Sequence, residues 1–275
     1  MFFKRLKKIA LISIVSVLSV WAVTLGYLMS IQDTRIFDFK PLEQSYHYEF
    51  PIPYEEVTIK TNDSVVKGLY FKSKNPKGVT YYLHGKGSNL SHPKWKKISQ
   101  YLVQNLNQDL LMIDYRGFGK STGELSYEGL LNDANAGYNY LKERYQEDQI
   151  TVYGLSLGTS FATYVAKENQ PKQLVLEAPF YSLLDVAHST MPVVPVFMMK
   201  TVLKYPFPTN EWIQQVNCPI YIFHGTNDDI IPYNSSLRLA ELTNSPCEVT
   251  IIQGGCHNKL NLTPEFKEKA KQIFN

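Results

Sequence analysis

Cysteine is scarce in this sequence, and its scarcity excludes a disulfide-stabilised fold. The 275 residues include three cysteines, Cys218, Cys247 and Cys256, so at least one thiol is left over from any pairing. Cys247 and Cys256 flank a predicted strand and would lie near its opposite ends, too far apart to bridge. We therefore expect small buried or loop thiols rather than a disulfide framework.

Excess charge and low-complexity sequence are also lacking. The formal net charge is +3 at pH 7, and five of the basic residues flank one apolar segment: Lys4, Arg5, Lys7, Lys8 and Arg35. The rest of the chain is close to neutral, so we expect no nucleic-acid partner. No internal repeat is present, and 44% hydrophobic with 19% charged residues is typical of a globular protein.

A long uncharged apolar segment, residues 9–31, is present near the N-terminus. As a helix it would extend about 34 Å, enough to cross the hydrocarbon core of a bilayer with a small tilt. It is longer than the usual signal-peptide core of about 7 to 15 residues, and no Ala-x-Ala-like cleavage site lies near its end. We therefore predict an uncleaved signal anchor, with a cleaved signal peptide as the alternative.

The basic residues around this segment predict its orientation. Four of them precede it, whereas only Arg35 and Lys40 follow it closely. Because positively charged flanks stay in the cytoplasm, we expect a cytoplasmic N-terminus and a folded domain on the extracytoplasmic side. The predicted divisions are a tip and anchor at 1–31, a linker rich in aromatic residues and proline at 32–53, and one domain at 54–275.

From residue 54 onward, strand and helix patterns alternate. Residues 54–61 and 65–73 predict an antiparallel hairpin at a sheet edge. Further strands are predicted at 79–83, 110–115, 150–153, 173–176, 220–223 and 248–252, and helices at 93–104, 127–145, after residue 156, at 234–242 and at 264–274. Repeated βα units of this length predict an α/β fold with a mostly parallel central sheet and helices on both faces.

One segment, at about residues 182–215, interrupts this alternation. Its four prolines and its many apolar residues suit neither a further strand nor a solvent-facing loop. We predict a short helical cap over the C-terminal edge of the sheet, with a proline-containing core helix as the alternative. Because substrate must arrive at this edge, we expect Phe197 and Met198 of the cap to contact the substrate.

A Gly-x-Ser-x-Gly pentapeptide, Gly154–Gly158, joins the strand at 150–153 to a helical sequence. In such a strand-turn-helix unit the serine hydroxyl is exposed, and the glycines let strand and helix approach closely. The free N–H groups of the first helical turn can stabilise a developing anion. Ser156 is therefore a candidate nucleophile, and the alternative is an ordinary glycine-rich turn.

A serine nucleophile needs an imidazole to accept its proton and, usually, a carboxylate to orient that imidazole. His257 follows the last strand in a Gly-Gly-Cys-His-Asn loop, at the edge where parallel strands end, and is the candidate base. His84 and His224 each precede a glycine at a strand end, and we interpret both as hydrogen-bonded structural imidazoles.

Two adjacent carboxylates, Asp228 and Asp229, follow the penultimate strand in a turn before a helix, where either could instead cap that helix. The chain order Ser156, Asp228, His257 is that of an α/β-hydrolase triad, so we choose Asp228 as the acid. The alternatives for this role are Asp114, Glu177 and Asp185.

With these motifs in order, the chain resembles the α/β-hydrolase superfamily over about residues 54–275, and within it the Bem46-like membrane-anchored serine hydrolases. The matching segments are His84–Asn89 after the third strand, Asp114–Gly123 after the fourth, and the turns that hold Ser156, Asp228 and His257. The resemblance implies that these last three residues are nucleophile, acid and base.

The resemblance also implies an oxyanion hole formed by the backbone N–H groups of Lys86 and Leu157. Relatives often have asparagine where this chain has Lys86. Because the donor is a backbone group, we expect the hole to be retained, with the lysine charge at its mouth as an influence on substrate choice.

We therefore predict a membrane-anchored serine hydrolase that cleaves carboxylic esters or thioesters through an acyl-enzyme, without metal or organic cofactor. Its nearness to a membrane makes lipid-like esters accessible substrates. The alternatives are an acyltransferase, a serine peptidase on the same fold and a non-catalytic binding protein. The presence of all three candidate triad residues argues against the last of these.

Overall fold

The fold is an eight-stranded sheet with helices on both faces, as a computed structural model of residues 2–274 describes it. The strands are β1 (Glu55–Lys60), β2 (Val65–Phe71), β3 (Gly78–Leu83), β4 (Gln108–Asp114), β5 (Ile150–Leu155), β6 (Gln173–Glu177), β7 (Ile220–Gly225) and β8 (Cys247–Ile252). The α-helices are α1 (Phe2–Phe37), α2 (Lys94–Gln100), α3 (Tyr127–Lys142), α4 (Leu157–Glu168), α5 (Leu183–Thr190), α6 (Val196–Val202), α7 (Thr209–Trp212), α8 (Asn234–Ala240) and α9 (Pro264–Ile273).

The strand order is β1-β2-β4-β3-β5-β6-β7-β8. β1 pairs antiparallel with β2, and β2 antiparallel with β4, whereas every pairing from β4 to β8 is parallel. The predicted edge hairpin and the mostly parallel sheet are thus confirmed. Since the parallel strands all end at one edge, the loops after β3, β5, β7 and β8 lie on the same side of the molecule.

The two faces of the sheet are each covered by a hydrophobic cluster. Along β3, Tyr81 and Leu83 belong to the cluster that contains Phe161 of α4, whereas Tyr82 belongs to the cluster with Trp95 of α2. Every residue of β3, β4 and β5 is buried. Because both faces of these central strands are covered, their sequences are almost continuously apolar instead of alternating.

The segment between β6 and β7 folds as the short helices α5, α6 and α7. Pro195 immediately precedes α6 and Pro208 immediately precedes α7. Proline is tolerated at a helix start because the N–H groups of the first turn have no intrahelical acceptor. The prolines that interrupt the strand-helix alternation therefore separate the cap helices, α5 and α6, from each other and from α7.

Helix α1 is the one helix among residues 2–274 that is long and apolar enough to cross a membrane. Its most apolar 18-residue window has a mean hydropathy of 2.3, and no part of that window is buried. The helix continues past Ile31, where the apolar segment ends, to Phe37. Gln32 and Phe37 are its two buried residues, so its C-terminal end packs on the domain.

Candidate active site

Ser156 occupies the sharp turn between β5 and α4. Its backbone lies at φ +53° and ψ −119°, a left-handed conformation that costs a non-glycine residue about 1–3 kcal/mol. A Cβ at Gly158 would lie 2.0 Å from the carbonyl oxygen of Leu83, and one at Gly154 would lie 2.5 Å from the carbonyl oxygen of Gly158. Both glycines are therefore required for the helix to start so close to the sheet.

Ser156, His257 and Asp228 form one chain of hydrogen bonds. Ser156 Oγ lies 2.9 Å from His257 Nε2, and His257 Nδ1 lies 2.6 Å from Asp228 Oδ2. A carboxylate can only accept, so Nδ1 carries the proton and Nε2 is free to accept from the serine hydroxyl. The arrangement can therefore move a proton from Ser156 Oγ to His257.

The carboxylate of Asp228 is buried and fully hydrogen-bonded. Its Oδ1 accepts from the backbone N–H groups of Ile230 at 2.9 Å and Ile231 at 2.8 Å. Burial opposes ionisation of Asp228, but hydrogen bonds from His224, His257 and Ile231 together hold its pKa below the usual range of an aspartate. Asp228 is therefore ionised at neutral pH.

His224 contacts the same carboxylate, a role that its position at a strand end did not reveal. Its Nε2 lies 3.1 Å from Asp228 Oδ2 and 2.9 Å from the Ile231 carbonyl oxygen, which can only accept. Nε2 therefore carries the proton, and Nδ1 accepts from the Ser236 hydroxyl at 2.6 Å. The available sequence signal was its i,i+4 spacing to Asp228 in the loop after β7.

The other carboxylates considered for the acid are occupied elsewhere or exposed. Their partners are His84 at 3.3 Å for Asp114, the Tyr153 hydroxyl at 2.6 Å for Glu177, and Arg238 at 3.1 Å for Asp185. Asp229 is exposed to solvent. Across residues 2–274, none of these four forms a hydrogen bond or ion pair with His257.

Glu177 nevertheless helps to hold the turn that carries Ser156. Its backbone carbonyl accepts from the Ser156 N–H at 2.9 Å, and its carboxyl group accepts from the Tyr153 hydroxyl and from the backbone N–H of Asn261 at 3.3 Å. Burial raises the pKa of Glu177, and the hydrogen bonds from Tyr153 and Asn261 oppose that rise. The residue thus links β5, β6 and the segment after His257.

The two expected oxyanion donors belong to segments close to Ser156. Leu157 is the first residue of α4, where a backbone N–H has no intrahelical acceptor. The loop after β3 passes so close that a Cβ at Gly85 would lie 3.1 Å from the Ser156 Cβ. In the part of the chain that the structure describes, neither the Lys86 nor the Leu157 N–H donates a backbone hydrogen bond.

A cavity of about 610 Å³ adjoins Ser156 and is lined mainly by apolar side chains. Its walls come from the C-terminal part of α1, from α5 and α6 of the cap, from Leu157 at the start of α4, and from the loops that carry Lys86 and Ile231. Arg35 and Lys86 are its charged lining residues. The cavity has the size and composition of a small-molecule site with an apolar ligand.

The predicted substrate contacts, Phe197 and Met198, are not among the residues that line this cavity. The Phe197 side chain is 67% exposed, whereas Met199 and Val202 of the same helix line the cavity. Successive helical residues are rotated by about 100°, so residues three apart share a face and immediate neighbours do not. The cap contributes to the cavity through a different face of α6 than we expected.

Comparisons with known proteins show which proteins this chain is similar to. A family profile described as serine aminopeptidase, S33, matches residues 74–211. Alpha/beta hydrolase domain-containing protein 17B of Xenopus tropicalis is 28% identical over 203 residues, which cover 73% of this chain and 67% of that protein. An uncharacterized protein of Mycobacterium tuberculosis is 33% identical over 158 residues, 57% of this chain and 55% of that protein.

Solved structures with the same architecture include an esterase and the protein Est1E. The esterase Pf2001 of Pyrococcus furiosus has a TM-score of 0.68 at 18% identity, covering 86% of this chain and 96% of that one. Est1E of Butyrivibrio proteoclasticus, solved with ferulic acid bound, has a TM-score of 0.64 at 18% identity, covering 79% and 97%. At this identity the likeness concerns the fold alone, and it confirms the predicted α/β-hydrolase fold.

Proposed function

Because the chain belongs to the serine aminopeptidase S33 family of α/β-hydrolases, we propose that it is a serine hydrolase that cleaves carboxylic esters or thioesters. The observation that carries this proposal is the hydrogen-bonded chain Ser156–His257–Asp228, whose serine lines an apolar cavity. In this assignment Ser156 is the nucleophile, His257 the base and Asp228 the acid that orients it.

Acylation begins when Ser156 Oγ attacks the carbonyl carbon of the substrate and His257 Nε2 takes the serine proton. The Lys86 and Leu157 N–H groups stabilise the oxyanion that forms. The intermediate collapses with cleavage of the C–O or C–S bond, and the leaving alcohol or thiol receives the proton from His257. A water molecule then repeats the sequence, releasing the carboxylic acid and restoring Ser156.

The cavity favours an apolar acyl group over the amino terminus of a peptide. An aminopeptidase must hold the substrate ammonium group, which calls for an anionic or carbonyl-rich partner. The charged residues that line this cavity are Arg35 and Lys86, both cationic, and its other lining residues are largely aliphatic. Burial of an acyl chain against such a surface contributes about 0.8 kcal/mol per methylene.

Membrane attachment through α1 completes the proposal. The helix is compatible with a single-pass anchor, and the basic residues before Ile9 favour a cytoplasmic N-terminus with the catalytic domain on the extracytoplasmic side. On this basis we assign the protein to the Bem46-like group, with lipid-like esters as its substrates. The linker is at 32–53, and its first residues, 32–37, form the end of α1. The catalytic domain is at 54–275.

Substitution of the nucleophile tests the proposed chemistry. Ser156→Ala should lower kcat for p-nitrophenyl esters by at least about a thousandfold and abolish fluorophosphonate labelling, since only the attacking hydroxyl is lost. Asp228→Asn should also lower kcat strongly. The matched control is Asp229→Asn, at the neighbouring exposed residue, which should lower kcat less. Labelling that persists in Ser156→Ala, or a larger loss in Asp229→Asn than in Asp228→Asn, would contradict the assignment.

A further inference from the structure

The C-terminal turns of α1 line the cavity beside Ser156, although the proposed chemistry assigns them no role. The α1 residues involved are Tyr27, Leu28, Ile31, Gln32, Arg35 and Ile36. They recur in pairs every three to four residues, which places them on one face of the helix. Met29 and Ser30, between these pairs, are exposed and lie outside the lining.

Hydrogen bonds fix this face of α1 against the cap. The Gln32 side chain donates from Nε2 to the Val202 carbonyl oxygen at 2.7 Å and accepts at Oε1 from the Lys204 N–H at 2.8 Å. Asp33 accepts from the Tyr205 hydroxyl at 2.9 Å. The buried Gln32 amide thus pairs with one acceptor and one donor of the same backbone segment. Because a shift along the helix would leave these groups unpaired, α1 and the end of α6 can pack in only one register.

The end of α1 also contacts the loop that carries the proposed oxyanion donor Lys86. The Gly87 N–H donates to the Phe37 carbonyl oxygen at 3.0 Å, and the Lys86 ammonium group donates to the Arg35 carbonyl oxygen. The Phe37 ring is fully buried, with its centroid 4.8 Å from that of Tyr205. The helix is therefore joined to the cap on one side and to the catalytic loops on the other.

We propose that the cavity-lining face of α1 is a specificity element of the active site as well as a tether; this face consists of Tyr27, Leu28, Ile31, Gln32, Arg35 and Ile36. It forms one wall of the cavity that holds the acyl group on Ser156, and so determines which acyl chains fit. This inference rests on the proposed function, because it requires a substrate acyl group at Ser156.

The position of this wall also defines the class of substrate. Tyr27, Leu28 and Ile31 belong both to the cavity lining and to the apolar segment 9–31. At about 1.5 Å per residue, the part of the wall from Ile31 back to Tyr27 extends roughly 6 Å along the apolar span. An acyl chain in the adjacent bilayer leaflet would lie beside the cavity, so the substrate is a membrane-resident ester or thioester with an extended acyl chain.

Filling the cavity from the α1 side tests the inference. Leu28→Trp places a large side chain in the wall, and Met29→Trp makes the same change at a neighbouring residue that is 41% exposed. Both full-length variants would be assayed in detergent with p-nitrophenyl esters from acetate to decanoate. Each buried methylene is worth about fourfold in kcat/KM, so loss of room for two should lower the decanoate-to-acetate ratio about fifteenfold in Leu28→Trp. Met29→Trp should keep the wild-type ratio.

Ile31→Trp provides a second variant in the same wall, and acetate hydrolysis with fluorophosphonate labelling reports whether each variant is folded. If Ser156→Ala hydrolyses the esters at the wild-type rate, the proposed function itself fails. If Ser156→Ala is inactive while Leu28→Trp and Ile31→Trp both keep the wild-type decanoate-to-acetate ratio, the serine hydrolase stands and the α1 wall is overturned.

Discussion

His224 is a second imidazole on the carboxylate that orients His257. Asp228 Oδ2 lies 2.6 Å from His257 Nδ1 and 3.1 Å from His224 Nε2, so this one oxygen lies near both rings. His224 is itself held by the Ser236 hydroxyl and the Ile231 carbonyl, and it is fully buried. It is a positioning residue, because its hydrogen-bond partners are Asp228, Ser236 and Ile231, and it acts on Ser156 only through Asp228 and His257.

Replacement of His224 should therefore affect turnover more than substrate binding. A hydrogen bond to a charged group contributes about 1.5–3 kcal/mol, so His224→Leu should lower kcat roughly tenfold to a hundredfold with little change in KM. His224→Gln retains an N–H donor and should recover part of the lost kcat. Equal kcat values in His224→Leu and wild type, at equal Tm, would show that Asp228 is positioned without it.

The sequence predicted some residues of the site and missed the role of others. Ser156, Asp228 and His257 lie in short motifs at strand ends, and the topology of a parallel sheet brings such ends together. His224 lies in the same kind of position, but its i,i+4 spacing to Asp228 does not show that its ring shares a carboxylate oxygen with His257. That contact depends on how the turn Asn227–Ile231 folds back on β7.

Helices α5 and α6 form the part of the cavity wall that the cap contributes, next to α1. Met199 and Val202 lie three residues apart on the face of α6 that lines the cavity, and Met199 is buried. Phe197 lies on another face and is 67% exposed. The sequence predicted a helical cap here, but α6 makes less than two full turns after Pro195, too few for apolar periodicity to fix which face points inward.

Substitutions on the two faces of α6 should therefore differ. Val202→Trp narrows the cavity and should lower the decanoate-to-acetate ratio of kcat/KM about fifteenfold, the loss of about two methylenes. Thr201→Trp, at the exposed neighbouring residue, and Phe197→Ala with Met198→Ala should leave the ratio unchanged. Chain-length profiles of all three variants provide the measurement.

The same assay can show whether α6 and α1 bound one cavity. If they do, Val202→Trp and Leu28→Trp compete for the same space, and the double variant should lose less than the product of the single losses. If the double variant loses the full product of the two single losses in the decanoate-to-acetate ratio, α6 and α1 do not bound one cavity. A lower ratio in Phe197→Ala with Met198→Ala than in Val202→Trp would show that the wrong face of α6 has been assigned to the cavity.

Helix α1 differs from its predicted extent for a physical reason. The apolar segment ends at Ile31, but the helix continues through polar residues to Phe37 because the domain holds them. Gln32 forms a hydrogen bond with the last residue of α6, Asp33 forms one with Tyr205, and Phe37 packs against Tyr205. Hydropathy detects an apolar span, whereas these contacts join residues about 170 positions apart and leave no local signal.

The protein as a whole combines an apolar helix and a catalytic domain that share one cavity. This arrangement separates the two interpretations of the N-terminal segment. A signal peptidase that cut near Gln32 would remove Tyr27, Leu28 and Ile31 from the cavity wall and leave Ser156 beside an open groove. An uncleaved anchor keeps the wall, so we expect the active form of the enzyme to be the full-length, membrane-bound chain.

Protease accessibility in intact cells tests this topology. With a tag at each end, external protease should digest the catalytic domain and its C-terminal tag, while the N-terminal tag stays protected, since positively charged flanks remain cytoplasmic. Replacement of Lys4, Arg5, Lys7 and Lys8 by alanine leaves Arg35 and Lys40 as the nearest positive charges, and should place the domain inside in a substantial fraction of molecules. Lys40→Ala is the matched control and should keep the wild-type orientation.

Recovery of a soluble chain that begins near Gln32, with the same preference for decanoate over acetate as the full-length chain, would refute both the anchor and the α1 wall.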